Sequence, residues 1–159
     1  MTPSDALIRP MNEADLPAVL GLEERCFPDP WSEGVFRSAL REERALWLCA
    51  ELKGEIAGYG GMEWVLDEGY VDNLAVSPDF RRQGLGAMLL KAMIGEAQRR
   101  RLRFLSLEVR AGNEGAIALY RSLNFETEGL RPGYYLRPRE DALIMTRYFE
   151  DESYDHSCH

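Results

Sequence analysis

Between Gly84 and Arg101, Leu85, Met88, Leu89, Ala92 and Met93 fall at the i, i+3, i+4, i+7 and i+8 positions of one helical face. This is the strongest periodic signal in the chain, and it predicts a long amphipathic helix that needs an apolar surface to lie on. The residues before it supply one. Ala45 to Leu52, Ile56 to Leu66 and Tyr70 to Val76 read as strands separated by the turns Lys53-Gly54-Glu55 and Asp67-Glu68-Gly69, a three-stranded meander. Upstream, Leu7 to Arg9 reads as a short strand, Glu13 to Cys26 as a helix capped by Asn12, and Ser32 to about Glu42 as a second helix after the breaker Phe27-Pro28-Asp29-Pro30. Downstream, Phe104 to Val109 is a strand. Asn113 to Leu123 is a helix striped by Ala116, Leu119, Tyr120 and Leu123, and Phe125 to Gly129 and Ala142 to Tyr148 are closing strands. Such an order predicts one mixed α/β layer.

The length of 159 residues suits one domain, and 45% hydrophobic with 29% charged residues is an ordinary globular composition. Residues 1–149 are expected to form it, with 150–159 an acidic, aperiodic tail expected to be disordered. No apolar run approaches the roughly 20 residues of a membrane span, and the N-terminus lacks a basic region followed by an apolar stretch. A cytoplasmic location is the default expectation, with no membrane partner. A net charge of −8 argues against a general nucleic-acid surface and favours cationic partners by steering.

Cys26, Cys49 and Cys158 form no CxxC, so neither a disulfide framework nor a zinc knuckle is expected, and Cys26 and Cys49 read as small buried hydrophobes. The two histidines, His156 and His159, lie in the tail. The body therefore has no Cys-His or Ser-His pair and no His-based metal set. Chemistry here has to run on Glu, Asp, Tyr, Lys or backbone groups, with no metal. Arg99-Arg100-Arg101 reads as cations answering the C-terminal dipole of the long helix.

Arg81-Arg82-Gln83-Gly84-Leu85-Gly86 joins the meander to that helix. The first amides of a helix have no internal partner and lie at its positive end, and glycine lets a ligand approach the backbone closely. A phosphate or pyrophosphate is the natural guest. Neither the P-loop nor the dinucleotide-binding glycine pattern is present, so from the loop alone a tight strand-to-helix turn stays open beside the phosphate site. A second turn, Arg110-Ala111-Gly112-Asn113, lies about 25 residues further on, with Asn113 placed as an N-cap.

The R-x-x-G-x-G loop after a meander resembles the acetyl-CoA pyrophosphate loop of the GNAT acetyltransferases. Leu107-Glu108-Val109-Arg110-Ala111-Gly112-Asn113 followed by Ala116-Ile117-Ala118-Leu119-Tyr120 sharpens the likeness. With Pro30-Trp31, Val65-Leu66-Asp67-Glu68, Tyr134-Tyr135 and Glu140-Asp141-Ala142, the chain is similar to the RimI-type ribosomal-protein-alanine N-acetyltransferases over about residues 7–149. The resemblance implies a single GNAT domain, a mixed, mostly antiparallel sheet flanked by helices. It implies acetyl-CoA as co-substrate and, as acceptor, a protein N-terminus, that of a small-subunit ribosomal protein. Two departures stand out. Asn124 replaces the family's glycine in Leu123-Asn124-Phe125, where a left-handed residue is expected and Asn is the best substitute. Arg131-Pro132-Gly133 replaces a more cationic or polar stretch at the acceptor lip.

Acyl transfer needs a neutral amine, a polarised thioester and a proton for the leaving thiolate. An α-amine, with a pKa near 7.7–8.0, is roughly 10–20% neutral at pH 7, so one carboxylate suffices as base. Glu108, on a strand between Leu107 and Val109, is open to two readings, a base whose pKa apolar surroundings would raise or a structural ion pair with Arg110. Tyr120 is open to two as well, a core aromatic or a proton donor. The resemblance implies the catalytic role for each: Glu108 as base, Tyr120 as acid. It also implies that Leu74, Ala75 and Val76 offer backbone groups to pantetheine and the acetyl carbonyl. Arg82, Gln83, Gly84, Leu85, Gly86 and Ala87 would cradle the pyrophosphate, and Asn113 would contact CoA. Asp67, Glu68, Tyr134 and Tyr135 are candidate acceptor-site residues, with Trp31 a core residue or a lid. Acetylation of a lysine, polyamine or aminoglycoside, and a CoA-binding module without activity, are the alternatives.

Overall fold

The computed structural model describes residues 5–149, so expectations about the tail, His156, Cys158 and His159 lie outside the described residues. Seven strands form one sheet in the order β1-β2-β3-β4-β5-β7-β6. They are β1 (Leu7–Pro10), β2 (Ala45–Leu52), β3 (Glu55–Val65), β4 (Glu68–Val76), β5 (Phe104–Arg110), β6 (Glu126–Leu136) and β7 (Arg139–Tyr148). The helices are α1 (Leu16–Cys26), α2 (Glu33–Arg41), α3 (Leu85–Arg99) and α4 (Glu114–Ser122). Every neighbouring pair is antiparallel except β4 and β5, which the crossover helix α3 joins in parallel. The α/β architecture read from the sequence is the one observed.

Two cores cover the two faces. On one, Leu85, Leu89, Leu90 and Met93 of α3 and Ile117 and Tyr120 of α4 pack on Leu105, Leu107 and Val109 of β5. On the other, Leu16, Val19 and Leu22 of α1 and Phe36 of α2 pack on Trp47, Tyr59 and Ala75. Trp31 is half-buried among these aromatics, 5.3 Å from Phe36 and 5.6 Å from Trp47 between ring centroids. It closes the end of this second core. Cys49 is fully buried, whereas Cys26 is only half-buried.

Caps set the helix starts. Asn12 accepts from Ala14 N–H at 2.9 Å in a capping box with Asp15, Ser32 accepts from Val35 N–H at 3.3 Å, and Asn113 accepts from Ala116 N–H at 3.1 Å. Each such cap is worth about 1 kcal/mol. Asn124 has φ 68°, so the residue that departs from the glycine pattern does adopt the left-handed conformation. Arg99 and Arg100 both pair with Glu96, and Arg100 stacks 4.1 Å over Trp64, which makes this run part of the scaffold.

The closing hairpin is longer than its sequence suggests. Pro132 and Gly133 interrupt the alternating pattern, so the sequence indicates strand only to Gly129 and again from Ala142. Strand β6 continues through them to Leu136, absorbing the interruption as a register shift between Arg131 and Tyr135. Gly133, at φ 61°, donates its N–H to Asp141 at 2.8 Å.

Candidate active site

The sheet opens between its two parallel strands. β4 and β5 pair only where Glu68, Gly69 and Tyr70 meet Phe104, Leu105 and Ser106. Beyond Tyr70 the ladder stops, and β4 is bent there by a bulge. Gly61 faces Asn73 and Met62 faces Val71, leaving Asp72 as the extra residue. Gly61 opposite the bulge must be glycine, since a Cβ would lie 2.3 Å from the Trp47 ring. On the β5 side the backbone from Val71 to Val76 has no strand partner, and its alternate N–H and C=O groups face the gap, apart from the Val76 carbonyl, which accepts from Arg81 Nε at 3.3 Å and from Cys26 Sγ at 3.7 Å. Leu74, Ala75 and Val76 lie on this edge.

The same gap meets two helix N-termini. Helix α3 starts at Gly84, whose φ of 80° requires glycine, and no side chain caps it. Its first amides, from Leu85, Gly86 and Ala87, are thus left to a ligand. A side chain at Gly86 would crowd Leu119 at 3.3 Å. Arg82 also has a positive φ of 65°, so the loop from Arg82 to Gly84 is tightly turned. On α4, the Asn113 side-chain oxygen is held by the cap, which leaves its amide N–H₂ to face outward. An open strand edge next to an uncapped helix N-terminus fits a ligand with amide groups on one arm and phosphates on the other.

Glu108 and Tyr120 belong to opposite faces of the sheet. On β5, Leu105, Leu107 and Val109 point into the α3/α4 core, so Phe104, Ser106, Glu108 and Arg110 occupy the other face. If the β4–β5 register continued past Tyr70, Glu108 would stand beside Asp72. Tyr120 belongs to the α3/α4 core and is 8% exposed. Burial, then the neighbouring Tyr135, pushes its phenol up to about 12, so it keeps its proton at neutral pH.

The expected apolar setting for Glu108 is not observed, nor is an ion pair with Arg110. Its side chain is 32% exposed, and Arg131 Nε lies 3.6 Å from Oε2. Arg110 turns instead to the β6–β7 hairpin. It donates to the carbonyls of Arg137 and Pro138 at 2.9 and 2.8 Å, pairs with Glu140 at 3.3 Å, and lies 4.3 Å over the Tyr135 ring. Glu140 also accepts from Gly112 N–H at 2.7 Å. The hairpin is thereby fixed against the β5–α4 turn, with Tyr134 and Tyr135 close to Glu108. Burial, then the charge of Glu108, raises both phenols, Tyr135 to about 12.

A sequence model of the acetyltransferase (GNAT) family matches residues 16–125. The chain belongs to the GNAT acetyltransferase family. A curated relative, the ribosomal protein bS18-alanine N-acetyltransferase of Escherichia coli strain K12, is 44% identical over 140 residues, 87% of this chain and 94% of that one. The crystal structure of the ribosomal-protein-S18-alanine N-acetyltransferase from Escherichia coli aligns with a TM-score of 0.84 at 40% identity, covering 94% of this chain and 99% of that one. NAA60 of Arabidopsis thaliana in complex with acetyl-CoA shares the fold, with a TM-score of 0.82 at 20% identity over 91% of this chain and 99% of that one.

In this GNAT domain Asp67 and Glu68 are not brought to Glu108. They sit at the closed end of the gap, held by Arg103 at 3.7 and 3.4 Å, and Glu68 also accepts from Tyr70 at 2.8 Å. Glu68 pairs with Phe104, four residues before Glu108, which is about 13 Å along the strand. The sequence reading placed Arg131 at the acceptor lip without pairing it with Glu108, and it singled out neither Asp72 nor Glu23. Glu23 left a signal, because it occupies the position seven residues after Leu16 on the apolar stripe of α1. Asp72 left none, and neither did the pairing of Arg131 with Glu108, since bulge positions do not show in periodicity. Among the described residues, no group of His, Cys, Asp and Glu is arranged to hold a metal ion, and no helix is long and apolar enough to cross a membrane.

Proposed function

We propose that the chain transfers the acetyl group of acetyl-CoA to the N-terminal α-amine of a protein, in a ternary complex, with the N-terminal alanine of ribosomal protein bS18 as natural acceptor. The observation that carries this is the opening between β4 and β5, with Glu108 on its acceptor face and Tyr120 on the other. The bS18-alanine activity named for the E. coli relative, 44% identical along almost the whole chain, supports the choice of acceptor.

The pyrophosphate is held by the amides of Leu85, Gly86 and Ala87 and the loop of Arg82, Gln83 and Gly84. Pantetheine lies along the edge of Leu74, Ala75 and Val76 as an added strand, and Asn113 donates to it from α4. The acceptor enters between the α1–α2 segment and the hairpin that carries Tyr134 and Tyr135. Glu108, directly or through one water, takes a proton from the ammonium. The neutral nitrogen attacks the thioester carbonyl, whose developing charge faces β4 backbone amides. The C–N bond forms, the C–S bond breaks, and Tyr120 gives its proton to the departing sulfur; the second proton that the nitrogen sheds on becoming an amide passes through water and restores the Tyr120 phenol. Among the described residues no histidine stands beside Cys26 or Cys49 to form an acyl-enzyme, which supports direct attack as the route.

A peptide with a free N-terminal alanine and an internal lysine, incubated with the enzyme and acetyl-CoA, tests the acceptor. Fragment-ion mass spectrometry should place the acetyl group on the α-amine. Acetylation on the lysine overturns the reading.

A further inference from the structure

Glu23 is a buried carboxylate that this chemistry does not use. It lies on α1, is 2% exposed, and its two oxygens serve different elements. Oε1 accepts from the Tyr59 phenol on β3 and from Asn73 Nδ2 on β4 at 2.9 Å. Oε2 accepts from the backbone N–H of Trp31 at 2.8 Å, in the segment between α1 and α2. All three partners are neutral. Burying a charge against neutral donors costs desolvation, which an apolar residue on the α1 stripe would avoid while packing equally well. What the carboxylate adds is a cross-link between the loop and the two strands.

Both ends of that cross-link touch walls of the acceptor side. Asn73 follows the Asp72 bulge and directly precedes Leu74, where β4 has left β5. The Trp31 segment also contains Asp29, which reaches Arg137 at 3.6 Å in the β6–β7 turn. That hairpin carries Tyr134, Tyr135 and Arg131, the neighbours of Glu108. We propose that Glu23 is a positioning residue for the acceptor peptide, fixing the α1–α2 rim and the β4 bulge in one geometry through Trp31, Tyr59 and Asn73. The proposal rests on the N-terminal acetyltransferase reading.

Glu23→Gln keeps the size and leaves one oxygen for Trp31 N–H, but turns an N–H₂ toward Asn73 and Tyr59. Tyr59→Phe removes one donor and leaves the other two. Steady-state kinetics on a peptide starting with alanine, run well below the Tm of each variant, separate positioning from bulk stability. Glu23→Gln should raise the peptide KM about ten-fold while the acetyl-CoA KM stays within about two-fold, and Tyr59→Phe should raise the peptide KM by less. A lower Tm with unchanged peptide KM, or equal changes in both KM values, overturns the proposal. If Glu23→Gln does not fold, Tyr59→Phe decides, and an unchanged peptide KM overturns it. Failure of the wild-type enzyme to acetylate the peptide is a different result. It removes the functional reading and the acceptor role together.

Discussion

Arg131 on β6 reaches over β7 to Glu108 on β5, Nε to Oε2 3.6 Å, and so occupies the carboxylate proposed to receive the acceptor's proton. On that proposal an incoming ammonium competes with this guanidinium for Glu108 and is repelled by it. The pair is substantially exposed, with side chains 57% and 32% accessible, and such pairs are worth about 0–1 kcal/mol. Arg131→Gln should therefore lower the KM for an alanine peptide by up to about five-fold and leave the acetyl-CoA KM unchanged. Peptide titrations at two salt concentrations check this. A raised peptide KM would show that Arg131 helps to bind the acceptor.

Tyr120 combines burial with the proposed task of proton donor. Tyr120→Phe should lower kcat about 10²-fold, with acetyl-CoA binding retained by calorimetry. The phenol is raised from 10 to about 12 in the folded chain. The folded state therefore holds this proton more tightly than the unfolded one. Its contribution to stability is complete below about pH 10 and is lost as the pH rises through about 12. As a proton donor Tyr120 stays protonated across the working range, so the kcat profile should show no decline from it below about pH 10. An equal kcat for Tyr120→Phe removes the acid role.

Asp72, the bulge residue, is a carboxyl held against its preference. Burial, then the charge of Glu63, pushes it up to about 7. Its unfolded value is near 3.9, so the native state binds the proton more tightly. The contribution of Asp72 to stability is then complete below about pH 4 and is lost as pH rises through about 7. Asp72→Asn, neutral throughout, should raise Tm at pH 8 by about 2–4 °C more than at pH 5. Thermal melts at both pH values decide it, and equal shifts would mean that Asp72 carries no pH-dependent strain.

Much of this arrangement was legible because local and global signals agreed. The stripe of Leu85, Leu89 and Met93, the caps Asn12, Ser32 and Asn113, and the left-handed Asn124 each follow from side-chain chemistry acting within a few residues. The roles proposed for the glycine loop, Glu108 and Tyr120 come from resemblance, whereas their surroundings are seen only in the fold. The Arg131 partner of Glu108 depends on how a bulged strand turns its side chains, and Pro132-Gly133 hid that strand. Asp67 and Glu68 look like acceptor carboxylates in sequence, but the register of β4 on β5 puts them beside Arg103 instead. Glu23 reads as one polar residue on an apolar stripe. Its three partners come from distant segments, and only the packed sheet brings them together.

Glu108 is proposed to deprotonate a protein α-amine for attack on acetyl-CoA. Thiol release from acetyl-CoA, followed with a hexapeptide starting with alanine and with its N-terminally blocked form, tests this when wild-type enzyme and Glu108→Gln are compared. The wild type should turn over on the free peptide alone, with a loss of about 10²-fold or more in Glu108→Gln. Equal turnover on both peptides, or wild-type rates in Glu108→Gln, would contradict it.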